Sequence, residues 1–561
     1  MNSELRDLPV LVLDCQASGA SPAYGDVIEL AWAACVASDL RGQIRSTWIV
    51  PRTARPVSRA VRELTGWSEA CVTEAVPEQE AWELLRNDAA SLGDGRESCA
   101  VPSVIHYARF ELPFLRDLHE RSARGGDFPL DAVCVHAVAA RLFPDLPRRN
   151  IRALAGFLGH SPELMRRSAG HVEATAFIWR KLVTLLAERG VTTWSELHAW
   201  LAATPAGRTR KGRVYPLLRE RRRALPDAPG VYRFLRCNGD VLYVGKAASL
   251  RKRVASHHTS GGRSTERALE LLSQVHEVAC TETASVLEAA LLECDEIKRL
   301  DPPYNVQLRS ASRSAWFASA DLRQAAPAPD DAHRIGPLPS ERCLVPRWAL
   351  LALCEGRAPT PALCAAALAV PPRWRPDEAL FLEGWQAFVT DHLPESDAPV
   401  ARRVEAASRA LWLERGRKEV HESLEDEGAP LWDLARVRRR LERNLVQTGL
   451  LLRRARCLRL LADSEVAYQE RGMSGARLLV VARAEIAERR DLDAVSSLST
   501  LPVRPVSSEP ARALFDAVTY DRLRVLLTEL QRVREDGGAI AVRRRTHTLP
   551  VERLAVLLRA L

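Results

Sequence analysis

Residues 225–258 read LPDAPGVYRFLRCNGDVLYVGKAASLRKRVASHH, and this stretch decides how the middle of the chain folds. Two runs rich in valine, tyrosine and leucine flank the turn residues CNGD, which is the pattern of a β-hairpin. GVY at 230–232 falls on the first strand and YVGK at 243–246 on the second, so we expect both tyrosine rings to meet at one end of the sheet. The basic, helix-like run that follows contains Arg253, whose side chain can reach a phosphate at that end. The pattern therefore predicts a phosphate-facing site where the hairpin ends.

A helix is predicted at residues 285–300, SVLEAALLECDEIKRL. Glu293 falls near one apolar stripe of this helix. The other members of the stripe are Val286, Ala289, Ala290 and Ile297. An unpaired buried carboxylate is costly, and a bound metal ion is a good reason for one to be there. We therefore expect Glu293 to be a metal ligand within a compact α+β domain at residues 225–309.

These motifs resemble the GIY-YIG nucleases. The likeness is greatest to the N-terminal domain of the excinuclease component that makes the incisions in bacterial nucleotide excision repair. It is carried by GVY, YVGKAASLRKRV, the glutamate that ends EAALLE, and PPYN at 302–305. The residues that match functional positions of the family are Tyr232, Tyr243, Lys246, Arg253, Glu293 and Asn305.

The resemblance implies hydrolysis of a DNA phosphodiester bond with one Mg²⁺ or Mn²⁺ held by Glu293 and several waters. Arg253 would stabilise the charge that builds on the phosphoryl group. Tyr243 or Tyr232, assisted by Lys246, would accept the proton of the attacking water. Which tyrosine is the base stays open at this point.

Two further assignments near this site stay open. Asn305 orders the loop around the site or is an ordinary turn residue. His257 and His258 lie close to the basic helix, but a histidine pair of this kind is more often on the surface than catalytic. No role is assigned to either histidine.

The N-terminal part, residues 1–201, alternates β and α signals, which predicts an α/β domain. Its segments resemble, in order, the proofreading-type (DEDDh) exonucleases related to the polymerase III epsilon subunit, which have a ribonuclease-H-like fold. LVLDCQASG stands where that family has D-x-E-T-T-G, and HYARFELPFL stands for H-N-A-x-F-D-x-x-F-L. HVEATA stands for D-A-x-A-T-A. The resemblance implies a family that cuts single strands from a 3′ end with two metal ions.

The catalytic positions of that exonuclease family are largely lost here. The residues at these positions are Asp14, which is kept, and Gln16, Glu111, Arg166 and His171, which differ from the family pattern. Gln16 is neutral, and Arg166 cannot act as a base near neutral pH. Two divalent ions close together need nearby negative charge, so we interpret this domain as an inactive exonuclease fold that binds DNA or a partner.

Three alternatives to this interpretation remain. One is a one-metal remnant built from Asp14, Glu111 and His171, with Glu173 moving in to help. Another is a bifunctional nuclease with an active 3′–5′ exonuclease. A third is a non-catalytic adaptor that keeps both nuclease folds as DNA-binding platforms.

The rest of the chain is predicted from composition and periodicity. Residues 202–224 are polar and basic and are expected to form a linker, and residues 310–340 a second one. Residues 341–561 are rich in arginine and leucine and are predicted to be mostly helical; within them, 435–461 has one basic and one apolar face. The fold class is therefore multidomain, α/β then α+β, followed by a helical region. Cys343, Cys354, Cys364 and the distant Cys457 are a metal site or ordinary core thiols.

The net charge and the spacing of the cysteines limit the kinds of partner and compartment that we expect. The net charge of +9 and pI of about 9.1 suit DNA, although an arginine-rich composition can also reflect a GC-rich genome. No run approaches the ~20 apolar residues of a membrane span, and no secretory signal is recognised. We expect a cytoplasmic protein with reduced thiols. The resemblance also implies a helicase-like loading subunit of excision repair as a partner. Since no second carboxylate set resembling a ribonuclease-H-like incision domain is found, one incision per binding event is expected.

Overall fold

The computed structural model describes residues 3–37, 39–40, 43–53, 55–92, 100–122, 126–161, 165–205, 214–259, 265–309, 315–420, 431–502 and 516–544. The chain divides into two compact units. The first holds Met1–Glu282 and Pro302–Tyr304, and the second holds Thr283–Asp301 and Asn305–Leu561. No helix among the described residues is both long enough and apolar enough to cross a bilayer.

A mixed sheet forms the centre of the N-terminal domain. Its strands are β1 (Val10–Ala17), β2 (Val27–Val36), β3 (Asp39–Leu40), β4 (Arg45–Trp48), β5 (Val101–Ile105) and β6 (Leu130–Cys134). Their order is β3-β2-β1-β5-β6, and β4 also pairs with β2. β1 runs antiparallel to β2 and parallel to β5.

Helices cover both faces of this sheet. They are α1 (Arg59–Thr65), α2 (Glu78–Leu92), α3 (Ala108–Ser122), α4 (Val135–Leu142), α5 (Ile151–Phe157), α6 (Ser168–Ala187) and α7 (Trp194–Ala203). Because successive side chains of a strand point to opposite faces, Val10 and Val12 of β1 join the core that α6 covers. Leu11 and Leu13 join the core of α2 and α3. The predicted α/β architecture is confirmed, and Asp14 follows on the α6 face.

The central domain is a three-stranded antiparallel sheet with helices. Its elements in the first unit are α8 (Arg219–Arg223), β7 (Gly230–Leu235), β8 (Val241–Ala247), α9 (Leu250–Thr259), α10 (Glu266–Gln274) and β9 (Glu277–Glu282). The order of the sheet is β8-β7-β9. Gly239 closes the β7–β8 hairpin with φ of 89°, a conformation that glycine adopts without strain. The predicted hairpin and α+β fold are confirmed.

The N-terminal and central domains pack together within the first unit. The Arg148 N–H donates to Ser273 Oγ at 2.9 Å, and Asn150 Nδ2 donates to Glu270 Oε2 at 2.6 Å. The short helix α8 lies within the predicted basic linker, of which residues 206–213 fall outside the described part. The N-terminal domain therefore supports the central domain directly.

The second unit begins with α11 (Val286–Leu300), whose N-cap Ser285 accepts a hydrogen bond from the Glu288 N–H. A small sheet follows, made of β10 (Trp316–Ser319), β11 (Ala325–Ala326) and β12 (His333–Leu338). This differs from the linker predicted at 310–340, of which 310–314 lie outside the described residues. The physical reason is burial, since Phe317 belongs to the unit's main hydrophobic core.

The remaining region is mostly helical, as predicted, and it also contains a sheet that was not predicted. Its helices are α12 (Val345–Cys354), α13 (Pro361–Leu368), α14 (Glu378–His392), α15 (Val400–Val420), α16 (Leu434–Leu461) and α17 (Ala517–Glu535). Its strands are β13 (Ser464–Gln469), β14 (Ala476–Ala482), β15 (Glu485–Leu492) and β16 (Ala539–Arg544), in the order β15-β14-β13-β16. The sheet and α17 share one core with α11.

Candidate active site

Two tyrosines stand on neighbouring strands of the β7–β8 hairpin. Tyr232 lies opposite Gly245, and Tyr243 lies opposite Phe234. The centroids of the two tyrosine rings are 6.0 Å apart. Tyr232 is fully buried, whereas Tyr243 is half-buried. The hairpin thus brings the rings together and leaves Tyr243 as the one with access to water.

Gly245 makes room for both rings. A Cβ atom at this position would lie 2.5 Å from Tyr232 Oη and 2.7 Å from Tyr243 Cε1. Both contacts are far shorter than van der Waals distance, and rings packed on a sheet have little freedom to move away. A glycine is therefore required where the second tyrosine motif reads YVG.

Replacing this glycine tests the packing of the tyrosine pair. We expect Gly245→Ala to lower the free energy of unfolding by about 1–3 kcal/mol, the usual cost of overpacking a core. Urea unfolding of the variant beside the wild-type chain measures the change. The exposed neighbour Ala248→Gly is the control, and an equal loss in both variants would contradict the packing argument.

The hydroxyl of Tyr232 has a partner to which the sequence analysis assigned no role, His257 on α9. Tyr232 Oη lies 2.7 Å from His257 Nε2. Burial, assisted by the positive charge of Arg253, lowers the pKa of His257 to about 4. The ring is therefore neutral near pH 7, and a hydrogen bond joins its Nε2 to the Tyr232 hydroxyl. His257 is half-buried rather than a surface residue. In the sequence, His257 stands four residues after Arg253, a spacing that places both side chains on the same face of a helix.

Burial and charge also set the state of Tyr232. Burial raises the pKa of Tyr232, the neighbouring Tyr243 adds to the rise, and Arg253 opposes it by its charge and a hydrogen bond. The Tyr232 hydroxyl thus stays protonated at neutral pH. Arg253 itself is exposed on α9, and Lys246 is half-buried on β8 opposite Val231. Four of the six predicted site residues therefore lie in the β7, β8 and α9 part of the first unit.

The other two predicted residues belong to the second unit. Glu293 lies on α11 and is half-buried, while Asn305 is buried, at 6% exposure, in the segment after that helix. The buried carboxylate of α11 is Glu296, not Glu293. Three members of the predicted apolar stripe, Ala289, Ala290 and Ile297, are buried together with Leu287 and Leu291, whereas Glu293 lies at the edge of that buried face.

The burial of Glu293 can be compared with the coordination that Mg²⁺ requires. Mg²⁺ keeps several waters and takes one or two carboxylates, so a half-buried, solvent-reaching glutamate suits it. Among the described residues, no group of three or more histidine, cysteine, aspartate or glutamate side chains is placed to hold a metal. The same finding bears on whether the four cysteines of the second unit form a metal site or are ordinary core thiols, and within the described residues it favours core thiols. Cys343, Cys354, Cys364 and Cys457 are free thiols spread over three cores, and burial raises the pKa of each.

The degenerate exonuclease positions cluster at the end of β1. His171 Nδ1 on α6 lies 3.1 Å from Asp14 Oδ1, and the Cys15 N–H donates to Glu111 Oε2 at 3.0 Å. Gln16 Nε2 donates to the backbone oxygen of Arg166 at 2.6 Å, while the Arg166 side chain is exposed. The fold therefore brings these positions together at the end of β1.

Protonation further weakens this cluster as a metal site. Burial raises the pKa of Glu111 well above its usual range, and the negative charge of Asp14 adds to the rise. Burial acts to lower the pKa of His171, but the charge of Asp14 and the hydrogen bond to it outweigh burial and raise it. A Glu111 carboxyl whose pKa is raised, beside an Asp14 already held by His171, offers less of the negative charge that two divalent ions need.

Comparison with known proteins identifies the central domain. Residues 228–306 match the family model described as the UvrC-like GIY-YIG domain. A Mycobacterium tuberculosis protein that carries the name of a bifunctional exonuclease/endonuclease is 31% identical over 261 residues, which is 45% of this chain and 39% of that protein. The UvrABC system protein C of Sphingopyxis alaskensis is 51% identical over 87 residues, 16% of this chain and 13% of its own length. The chain therefore spans about two fifths of the first relative and a smaller share of the second.

Among solved structures, the GIY-YIG N-terminal endonuclease domain of UvrC from Thermotoga maritima, bound to its catalytic magnesium, is 32% identical to this chain. It covers 16% of this chain and 94% of its own, with a TM-score of 0.15. The match to the M. tuberculosis protein is longer than the GIY-YIG domain alone, so part of the similarity lies outside residues 228–306.

Proposed function

Because residues 228–306 of this chain form a UvrC-like GIY-YIG domain, we propose that the protein is a DNA endonuclease that makes metal-dependent single-strand incisions. The observation that carries the proposal is the tyrosine pair on the hairpin, 6.0 Å between centroids, with Arg253 on the adjoining helix. A purely structural sheet has no need of two polar rings and a glycine that only makes room for them. The arrangement instead suits proton transfer beside a phosphate.

Tyr243 is the proposed general base. Tyr232 is buried, protonated and bonded to His257, so it cannot readily take a proton from water. Tyr243 is half-buried and can meet the attacking water. Lys246, also on β8, is the cation that would lower the cost of a negative charge on the Tyr243 oxygen, as the resemblance to GIY-YIG nucleases implies. Tyr232 and His257 would then hold the ring stack in place.

Phosphate charge is handled by other residues. Arg253 presents a planar guanidinium that can pair with two phosphate oxygens as charge accumulates on them. Glu293 is the proposed ligand of Mg²⁺ or Mn²⁺, as the resemblance to GIY-YIG nucleases implies. Such an ion, when bound, polarises the scissile phosphate and stabilises the leaving oxygen. Asn305 would keep the segment after α11 ordered.

The biological setting follows from the similarity to UvrABC system protein C. We propose incision of cytoplasmic DNA during nucleotide excision repair or a related repair process, with a helicase-like subunit loading the enzyme. The exonuclease-like domain is proposed to bind DNA or this partner and to brace the central domain. The contact of Asp14 with His171 and the raised pKa of Glu111 support a binding role over catalysis.

A second candidate is a bifunctional enzyme with 3′–5′ exonuclease activity. The observation that favours it is that Asp14, Glu111 and His171 still lie together at the end of β1. The name of the M. tuberculosis relative points the same way. Release of nucleotides from a 3′ end that is lost in Asp14→Ala would establish this candidate.

A plasmid nicking assay with two tyrosine variants tests the proposal. We expect Tyr243→Phe to slow Mg²⁺-dependent nicking by about 10²-fold, within the range for loss of a general base. Tyr232→Phe removes a hydroxyl that bonds to His257 and should slow nicking less. Equal activity of Tyr243→Phe and the wild-type chain would refute the assignment of the base. Faster nicking of damaged than undamaged plasmid, in the presence of the loading subunit, is expected if the setting is excision repair.

A further inference from the structure

A group of arginines in the second unit lies outside the nuclease chemistry. We call Arg347, Arg409, Arg453 and Arg456 the arginine cluster. Arg347 lies on α12, Arg409 on α15, and Arg453 and Arg456 on α16. Three packed helices thus bring these side chains into one region, and the last two lie in the basic run that sequence analysis singled out at 435–461.

Arg347 is the member at the base of the cluster. Its side chain is only 6% exposed, yet it has no hydrogen bond or ion pair within the described part of the chain. Burying a guanidinium without a partner is unfavourable. Burial lowers the pKa of Arg347, and the positive charge of Arg456 lowers it further, while Glu405 opposes both. A buried cation in this state is expected to gain from any anion that reaches it.

The carboxylate of Glu405 lies beside the arginine cluster. Glu405 is exposed on α15 and forms an ion pair with Arg456 at 3.4 Å. The same carboxylate also acts on Arg347 and on Arg453. Arg409 adds a further positive charge beside Arg453. Arg409 and Arg456 are exposed and Arg453 is half-buried, so the region is open to a ligand from solvent.

The helices hold Arg347 in a fixed place. Gly449 of α16 lets α15 approach closely, because a Cβ atom there would meet Ser408 Oγ at 2.1 Å. The Ser408 hydroxyl in turn donates to the backbone oxygen of Leu445 at 3.2 Å. Arg347 Nη1 lies 3.9 Å from the position of that Cβ atom. A glycine in the interior of a long helix costs about 1 kcal/mol, so close packing beside Arg347 is maintained at the expense of helix stability.

From this arrangement we propose that the arginine cluster binds a phosphate of the DNA backbone. Arginine is the side chain best suited to phosphate, since its planar fork donates two parallel hydrogen bonds. The cluster would anchor DNA without reading sequence, because backbone phosphates carry none. DNA binding at the cluster does not require cleavage. Binding can therefore be measured in EDTA, where the nuclease site is inactive.

Fluorescence anisotropy of a labelled DNA duplex with the full-length chain, in EDTA and over a series of salt concentrations, is the test. Arg347→Met keeps an unbranched apolar stem and removes the charge. We expect affinity to fall roughly tenfold at low salt, and the slope of log K against log salt to become shallower by about 0.9, the value for one phosphate contact. Arg456→Ala, at an exposed position where folding is not at risk, should change both quantities in the same direction.

Two further variants sharpen the test. Arg489→Ala on β15 removes one exposed positive charge elsewhere in the unit and is the matched control. Glu405→Gln should tighten binding, because it removes the carboxylate that the cluster shares. If Arg347→Met and Arg456→Ala bind DNA no more weakly than Arg489→Ala, the proposal is overturned. If a change appears only in the melting temperature of Arg347→Met, the arginine is structural and the proposal is likewise overturned.

Discussion

Glu293→Gln is expected to remove Mg²⁺-dependent nicking while leaving the affinity for DNA unchanged. Glutamine is nearly isosteric with glutamate, but it offers a neutral oxygen in place of the charged one that a hard cation prefers. Since metal assistance contributes several kcal/mol to phosphodiester cleavage, we expect the rate to fall by about 10³-fold or more. Conversion of supercoiled to open-circular plasmid measures the rate, and DNA binding is measured separately in EDTA.

The matched control for this variant is Glu83→Gln, the same chemical change at an exposed position of α2. It should nick at the wild-type rate. Glu293 is half-buried on a helix whose other side is in the core, so melting temperatures of both variants must be compared as well. Full nicking by a folded Glu293→Gln variant would remove the metal assignment.

Arg253→Ala is the second change with a large expected effect. Loss of a group that stabilises charge in the transition state costs about 10²–10³-fold in rate. The effect should appear in the rate at saturating DNA, because a group that acts only in the transition state changes kcat as much as kcat/KM. Single-turnover nicking at high enzyme concentration separates the chemical step from binding.

Lys252→Ala is the control for Arg253. Lys252 lies next to Arg253 on α9 and is exposed, with its ammonium 3.9 Å from Asp227. Removal of this positive charge should weaken DNA binding slightly and leave the chemical step intact. If Arg253→Ala changes only the dissociation constant, as Lys252→Ala does, then Arg253 positions DNA and does not stabilise the transition state.

Local pattern was enough to predict the hairpin, the tyrosine pair and the helix that carries Glu293. Each of these depends on residues close together in sequence, such as the turn at Gly239 and the N-cap Ser285. The side-chain environment was harder to predict. His257 becomes half-buried only because α9 docks on β7, and no local pattern encodes that docking.

Longer-range features were missed for a related reason. The strand β15 reads EIAERRDL, and its alternation of half-buried and exposed residues was hidden by charged side chains in an arginine-rich region. Phe317 was placed in a linker because its partners in the core lie far along the chain. The burial of Glu296 in place of Glu293 on α11 likewise depends on which face of the helix the rest of its unit covers.

The most direct measurement of the central claim is a nicking time course of Glu293→Gln beside Asp14→Ala, both as full-length chains with Mg²⁺. The two variants each remove one carboxylate, one from the GIY-YIG domain and one from the exonuclease-like domain. We predict that Asp14→Ala nicks at the wild-type rate and that Glu293→Gln does not nick. Loss of nicking in Asp14→Ala with activity retained in Glu293→Gln would contradict this prediction, because incision would then come from the exonuclease-like site.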